Sequence, residues 1–324
     1  MYVLVVSDLH GHVWEPFLWA LRLEEQLGCR ISAILCCGDL GYFPDAARLD
    51  GPTLRHAQQD PGELEFTYCF AQRVPEVVEW LDTLDQPPPP MYFVRGNHED
   101  HEVLSSLQSE AAPVAVDAYS LIWFLPDAVP LRLCGEDGAA LTVLGLGGVE
   151  HLSPRRHHPY AFVQETAIEK LLGLRRGAAD VLLTHAVPEE VEKGLTVPGA
   201  VRPEQAWRYN PRRASGLVSM AVQWLQPAYH FFGHLHFPVG PFEAGATRCV
   251  GIAATSQFLA TRAGSCDGVL GLLEWDRQGH GTFHFVADTW LEEWKQRGRA
   301  GLGHPGPSAR SRGLGRSCPR SQRQ

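Results

Sequence analysis

The chain of 324 residues has no apolar run long enough to cross a bilayer: its longest, such as "VLVV" and "AILCC", are strand-sized. It has no CxxC pair, and its eight cysteines follow no regular spacing, the pattern of reduced thiols rather than of a disulfide framework. Cys36 and Cys37 are adjacent in a strand-like run, where they point to opposite faces as core thiols. A basic n-region followed by an h-region is missing from the start, so the expectation is a chain without a signal peptide, residing in the cytoplasm. No internal repeat is visible. A basic excess is also missing from the body. From Lys295 onward there are eight Lys/Arg and no acid, whereas residues 1–294 hold 20 basic and 37 acidic residues, a net −17. A body of that sign does not read as a general nucleic-acid binder. The last segment, 295–324, is Gly, Pro, Ser and Arg with almost no apolar content, so disorder is expected there.

What is present is an apolar fraction of 44%, enough for a substantial core, in a length that suits one large α/β domain over residues 1–294. "MYVLVV" reads as a buried strand, and Trp14, Phe17, Leu18 and Leu21 recur at helical spacing after it. "ISAILCC", "MYFV", "DVLLT" and "AYHFF" read as further strands. Val74 to Leu84, Ala161 to Leu174 and Leu217 to Leu225 read as helices, and residues 44–64 as a polar excursion. Short strands are expected within 114–133 and over 141–146. The runs at 248–253, 269–275 and 282–287 suggest a closing β-meander.

Each of five strands delivers a polar tip: "SDLHGH", "GDLG", "RGNHED", His185, and "GHLH". Ligands in α/β sheets gather at the carboxyl ends of strands. The tips offer Asp8, His10, Asp39, Asn97, His98, His185, His234 and His236. Carboxylate, imidazole and amide oxygen suit divalent Mn, Fe, Zn or Ni, and the absence of thiolate from the tips argues against a structural zinc finger. The spacing alone leaves open whether His234 and His236 serve one ion, two, or none.

The ordered set Asp-x-His, Gly-Asp, Gly-Asn-His-Glu, a lone His after an apolar strand, and Gly-His-x-His resembles the calcineurin-like metallophosphoesterase superfamily over residues 1 to about 290. The resemblance implies a four-layered α/β/β/α sandwich of two mixed sheets, two divalent metal ions, and hydrolysis of a phosphate ester by metal-activated hydroxide. Asp8, His10, Asp39 and His236 would hold one ion, and Asp39, Asn97, His185 and His234 the other, with Asp39 bridging. His98 would stabilise charge on the phosphate or protonate the leaving group. "CCGDLG", "RGNHED", "THAVP", "GHLHFP" and "TSQFLA" are similar, more narrowly, to RNA lariat debranching enzymes, which cleave 2′–5′ phosphodiesters. That family often has Cys where Asp8 stands here. The favoured substrate is therefore a phosphodiester in a nucleotide or RNA, with no membrane and no specific protein partner implied. The alternatives are a phosphomonoesterase or protein phosphatase on the same site, and a non-catalytic scaffold of the same fold.

Other polar residues read plainly. His12 is a loop residue, His101 a solvated one, His230 a packed core histidine, and Asp45 and Asp100 are loop acids. Glu99 orients its loop or caps the next helix. Of two basic clusters, 153–160 is left without a role. In 202–213, Trp207 and Tyr209 with Arg212 and Arg213 have the chemistry of a lid that stacks a base and holds a phosphate.

Overall fold

The computed structural model describes residues 1–108, 111–153, 155, 157–196, 214–260 and 268–297. In chain order the strands are β1 (Tyr2–Val6), β2 (Ile31–Cys36), β3 (Met91–Phe93), β4 (Val114–Ala115), β5 (Ile122–Phe124), β6 (Pro130–Cys134) and β7 (Ala140–Leu146). There follow β8 (Val181–Thr184), β9 (Val187–Pro188), β10 (Ala214–Ser215), β11 (Tyr229–Phe232), β12 (Val239–Ala244), β13 (Thr247–Gly251), β14 (Gly271–Trp275) and β15 (Gly281–Phe285). One sheet has the order β15-β14-β1-β2-β3-β5-β4 and the other β12-β13-β11-β8-β7-β6, with β9 and β10 a separate parallel pair. β1, β2, β3 and β5 run parallel in the first sheet, and β7, β8, β11 and β13 in the second, each with antiparallel edges.

The period-2 alternation of each central strand divides its side chains between two cores. Val3, Val5, Ala33, Leu35, Val143, Val181, Leu183, Phe231 and Val250 fill the space between the sheets. Leu4, Val6, Ile34 and Cys36 point outward and are covered by the helices α1 (Trp14–Leu27), α3 (Pro75–Asp82) and α4 (His101–Leu107), of which α1 supplies Trp14 and Phe17, α3 Trp80 and α4 Leu104 to this outer core, while the short α2 (Gly51–His56) lies in the 44–64 excursion. On the far side, α5 (Glu165–Leu172), α6 (Val191–Thr196) and α7 (Gly216–Leu225) cover Leu144, Leu146, Leu182 and Phe232. The short α8 (Thr255–Ala260) and the last helix α9 (Thr289–Arg297) return to the first side, where Phe258, Trp290 and Trp294 join the outer core. The layers are thus α/β/β/α. Cys36 and Cys37 go to opposite faces, Cys36 under α1 and Cys37 between the sheets.

Two expectations need correction. The closing segments do not form one meander. β12 and β13 pair in the second sheet, while β14 and β15 pair in the first, because α8 carries the chain across between them. The helix expected over 161–174 is shorter, Glu165–Leu172, since residues 159–161 form a separate 3₁₀ turn capped by His158. α9 runs on past residue 294, and residues 298–324 of the basic tail lie outside the described residues. Among the described residues no helix is long and apolar enough to cross a membrane.

Candidate metal centre

Five parallel strands end on one rim. β1 leads to Asp8 and His10, β2 to Asp39, and β3 to Asn97 and His98, all from the first sheet; β8 leads to His185 and β11 to His234 and His236, from the second. The rim is built with unusual backbone. Asp8, His10, Asp39, His234 and His236 all have φ between 46° and 69°, a region that only Ser120, Ala128 and Gln226 share among the other described non-glycine residues. Left-handed backbone at a non-glycine residue costs about 1–3 kcal/mol, so strain is concentrated where the polar tips converge. Close approach does the rest. A Cβ on Gly233 would lie 2.0 Å from Ser7 Oγ and 2.7 Å from Asp8 Oδ2, and one on Gly96 would lie 2.0 Å from Asp39 Oδ1.

Asp39 is the centre of the arrangement. Its Oδ1 accepts the backbone N–H groups of Asn97 (2.6 Å) and His98 (2.8 Å), which fixes the carboxylate plane. Its Oδ2 faces His10 Nε2 at 3.7 Å on one side and His185 Nε2 at 3.5 Å on the other. Asp8 Oδ2 accepts from Ser7 Oγ (2.5 Å) and from the His234 N–H (3.1 Å), which leaves Oδ1 facing His236 Nε2 at 3.2 Å. Asp8 Oδ1 and His10 Nε2 are buried and make no hydrogen bond. One ligating atom from each of Asp8, His10, Asp39 and His236 lies within 4.8 Å of the others. Mixed oxygen and nitrogen donors, two of them buried and unsatisfied, fit a divalent cation. On the other side of Asp39, His185 Nε2 is 3.3 Å from Asn97 Oδ1, and the His185 and His234 ring centroids are 5.0 Å apart. His185 Nδ1 donates to the Cys37 carbonyl (2.8 Å), which aims Nε2 at the centre.

Without a cation these groups perturb one another strongly. Burial favours neutral Asp8, but the His236 imidazolium beside it outweighs burial and holds the carboxyl at about 2. Burial acts against Asp39 too, and His185 drives it well below the usual range. Burial pushes His10 down to about 4, whereas Asp39 overcomes burial at His185 and lifts it to about 9. His98, also opposed by burial, is lifted to about 9 by Asp39 and Asp50.

The structure brings Asp8, His10, Asp39, Asn97, His98, His185, His234 and His236 to one rim. Trp207, Arg212 and Arg213 lie outside the described residues. Asp50, a residue with no mark of a site in the sequence, accepts the Thr53 N–H with its Oδ1 at the start of α2, while Oδ2 takes a hydrogen bond from His98 Nδ1 at 2.7 Å. Asp-Gly-Pro is a helix-start signature, but a pairing across 48 residues has no local signal. Gln257, in "TSQFLA", carries no such mark either; its Nε2 contacts His236 Nδ1 at 2.7 Å.

Several plain readings change. His101 is buried rather than solvated, with its ring stacked on His158, because α4 starts against the rim loop. His12 is buried as well. Asp100 is no free loop acid: it caps α4 through the Val103 N–H and pairs with Arg48 at 2.5 Å. Glu99 does orient its loop, accepting from the Leu40, Tyr42 and Gly96 N–H groups. His230 is a core histidine, its Nε2 2.9 Å from Thr184 Oγ1.

Comparison with known proteins gives one family. The sequence model for calcineurin-like phosphoesterase matches residues 1–238. No curated protein matches the chain. Similar solved structures include a dimetal phosphatase from Danio rerio (10% identity, TM-score 0.45, 89% of this chain and 99% of the other). A 5′-nucleotidase from Candida albicans has 11% identity and a TM-score of 0.42, over 91% and 52% of the two chains. The TT1561 protein of Thermus thermophilus has 15% identity and a TM-score of 0.43, over 88% and 98%.

Proposed function

The chain belongs to the calcineurin-like phosphoesterase family, and from that premise we propose that it is a dinuclear-metal phosphodiesterase acting on a nucleotide or RNA. The observation that carries the dinuclear reading is Asp39 Oδ2, one carboxylate oxygen facing both His10 and His185. Asp8, His10, Asp39 and His236 would hold one divalent ion, and Asp39, Asn97, His185 and His234 the second. The two ions would supply a Lewis-acidic clamp for the phosphate and water activated near neutral pH. The remaining work falls to side chains. His98 Nδ1 is committed to Asp50 Oδ2, so Nε2 is the nitrogen left for substrate. Asp50, hydrogen-bonded to Nδ1, favours the protonated ring, as Asp39 also does in the metal-free protein. His98 therefore carries a proton to give to a departing alkoxide, the leaving group of a nucleoside ester. Glu99 and Asp100 hold the loop that carries Asn97 and His98 against residues 40–48.

Support for the diester preference comes from the sequence: the segments similar to debranching enzymes, and the Trp207, Arg212 and Arg213 cluster with its stacking and phosphate-binding chemistry. The test is Mn²⁺-dependent turnover of a bis-aryl phosphate against a mono-aryl phosphate, with His98→Ala as control. Faster diester turnover that depends on His98 is expected. Preference for the monoester would make the protein a phosphomonoesterase, and no turnover of either with any divalent metal would leave a scaffold.

A further inference from the structure

Two residues past His10, the chain builds a second cluster that the rim does not use. His12 ends the β1–α1 loop, Glu15 lies in the first turn of α1, and Glu65 ends the turn at Pro61–Leu64. All three are more than nine-tenths buried. One ligating atom from each lies within 4.8 Å of the other two. His12 Nε2 is buried and makes no hydrogen bond, although Asp60 Oδ2 stands 3.3 Å away. The backbone is bare where the two segments close on each other. A Cβ on Gly62 would lie 2.1 Å from the His12 ring, and one on Gly11 would lie 2.1 Å from the Glu63 carbonyl oxygen.

A buried imidazole nitrogen that reaches only a 3.3 Å ion pair with Asp60, set against buried carboxylates, is costly in a low-dielectric interior. A divalent cation removes that cost by taking the nitrogen lone pair and neutralising two carboxylates. Bonds of about 2.0–2.2 Å would place the donor atoms of one ion no more than about 4.4 Å apart. The observed spread needs little closure to reach that. One imidazole with two or three carboxylates suits Zn²⁺ or Mn²⁺, and the lack of thiolate disfavours Cu(I).

We propose that His12, Glu15 and Glu65, with Asp60 as the fourth donor, form a structural divalent-cation site separate from the rim. The ion would pin the 44–65 excursion to the loop that carries His10. That excursion also bears Arg48 and Asp50, which hold Asp100 and His98. The site therefore couples metal loading to the position of Asp50 without touching substrate.

The test uses the full chain, stripped with a chelator, reloaded with Zn²⁺, desalted and analysed for metal per chain by mass spectrometry. Wild type is expected to retain one ion more than Glu65→Gln, whose rim ions stay bound. Asp39→Asn leaves the new cluster intact and is expected to lose rim metal while retaining one ion. Should Glu65→Gln fail to fold, Asp39→Asn still decides, since complete loss of metal in that variant would overturn the proposal. Equal metal content in wild type and folded Glu65→Gln would overturn it too. Failure of the rim reading looks different: Asp39→Asn would then bind as much metal as wild type.

Discussion

In the proposed reaction His98 acts as an acid only while Nδ1 is held and Nε2 is free, and Asp50 is the side chain that holds it. His98→Ala is expected to lower kcat by about 10²–10⁴-fold with the metal content unchanged. Asp50→Asn keeps the shape but removes a charge that raises His98. Steady-state kinetics should show about a 10–100-fold loss and, more tellingly, a shift of the alkaline limb. Activity falls where His98 loses its proton, so with a lower pKa the limb moves to lower pH; an unmoved limb would assign Asp50 a purely structural role. At this scale the rim was legible because each ligand type follows a recognisable strand, and motif order assembled residues as distant as Asp8 and His236. Asp50, Gln257 and the His12 cluster were not legible. Their partners come from other segments, and a lone Asp or His carries no mark of the pocket into which it folds.

The elements serve to bring loops closer than ordinary side chains allow. Gly233 ends β11 with its Cα against Ser7 and Asp8, where a methyl group has no space. Gly233→Ala should push the His234–His236 loop away from Asp8, lowering metal affinity measured by calorimetry as well as thermal stability. Unchanged affinity would mean that the loop relaxes freely. The central strands were readable from their apolar alternation, since Val3 and Val5 face one core and Leu4 and Val6 the other. The partners of the late strands were not. β13 and β14 are both five-residue strands whose sequences name no partner, and the crossover between them sends them to different sheets. Residues 44–64 read as a polar excursion because the contacts that tie them to the rim, Arg48 to Asp100 and Asp50 to His98, are charged rather than apolar.

For the whole molecule, the metal-free protein has opposed histidines. His10 and His101 are pushed down to about 4, and His230 to about 3, each chiefly by burial. Unfolding lets them take up protons near pH 6.5, so the stability they allow is present above that pH and lost as pH falls toward 4. His98 and His185, raised to about 9, act in the other sense: burial opposes the shift, Asp39 prevails, and their contribution is full below about pH 6.5. It is lost as pH rises through 9. Each pKa unit corresponds to about 1.4 kcal/mol. Denaturant midpoints of the stripped protein should therefore peak near neutrality. Mn²⁺ should raise them most on the alkaline side, where coordinating histidines no longer compete with protons; a flat, metal-insensitive profile would contradict this.

The claim on which the functional reading depends is that one carboxylate joins two ions and that His234 and His236 part company between them. Anomalous diffraction from Mn²⁺-loaded crystals, recorded on both sides of the manganese edge, measures this directly. The expected result is two rim peaks about 3.5–4 Å apart, bridged by Asp39, with His236 on the ion shared with Asp8 and His10 and His234 on the ion shared with Asn97 and His185. A single rim peak touching both histidines, or none, would contradict it.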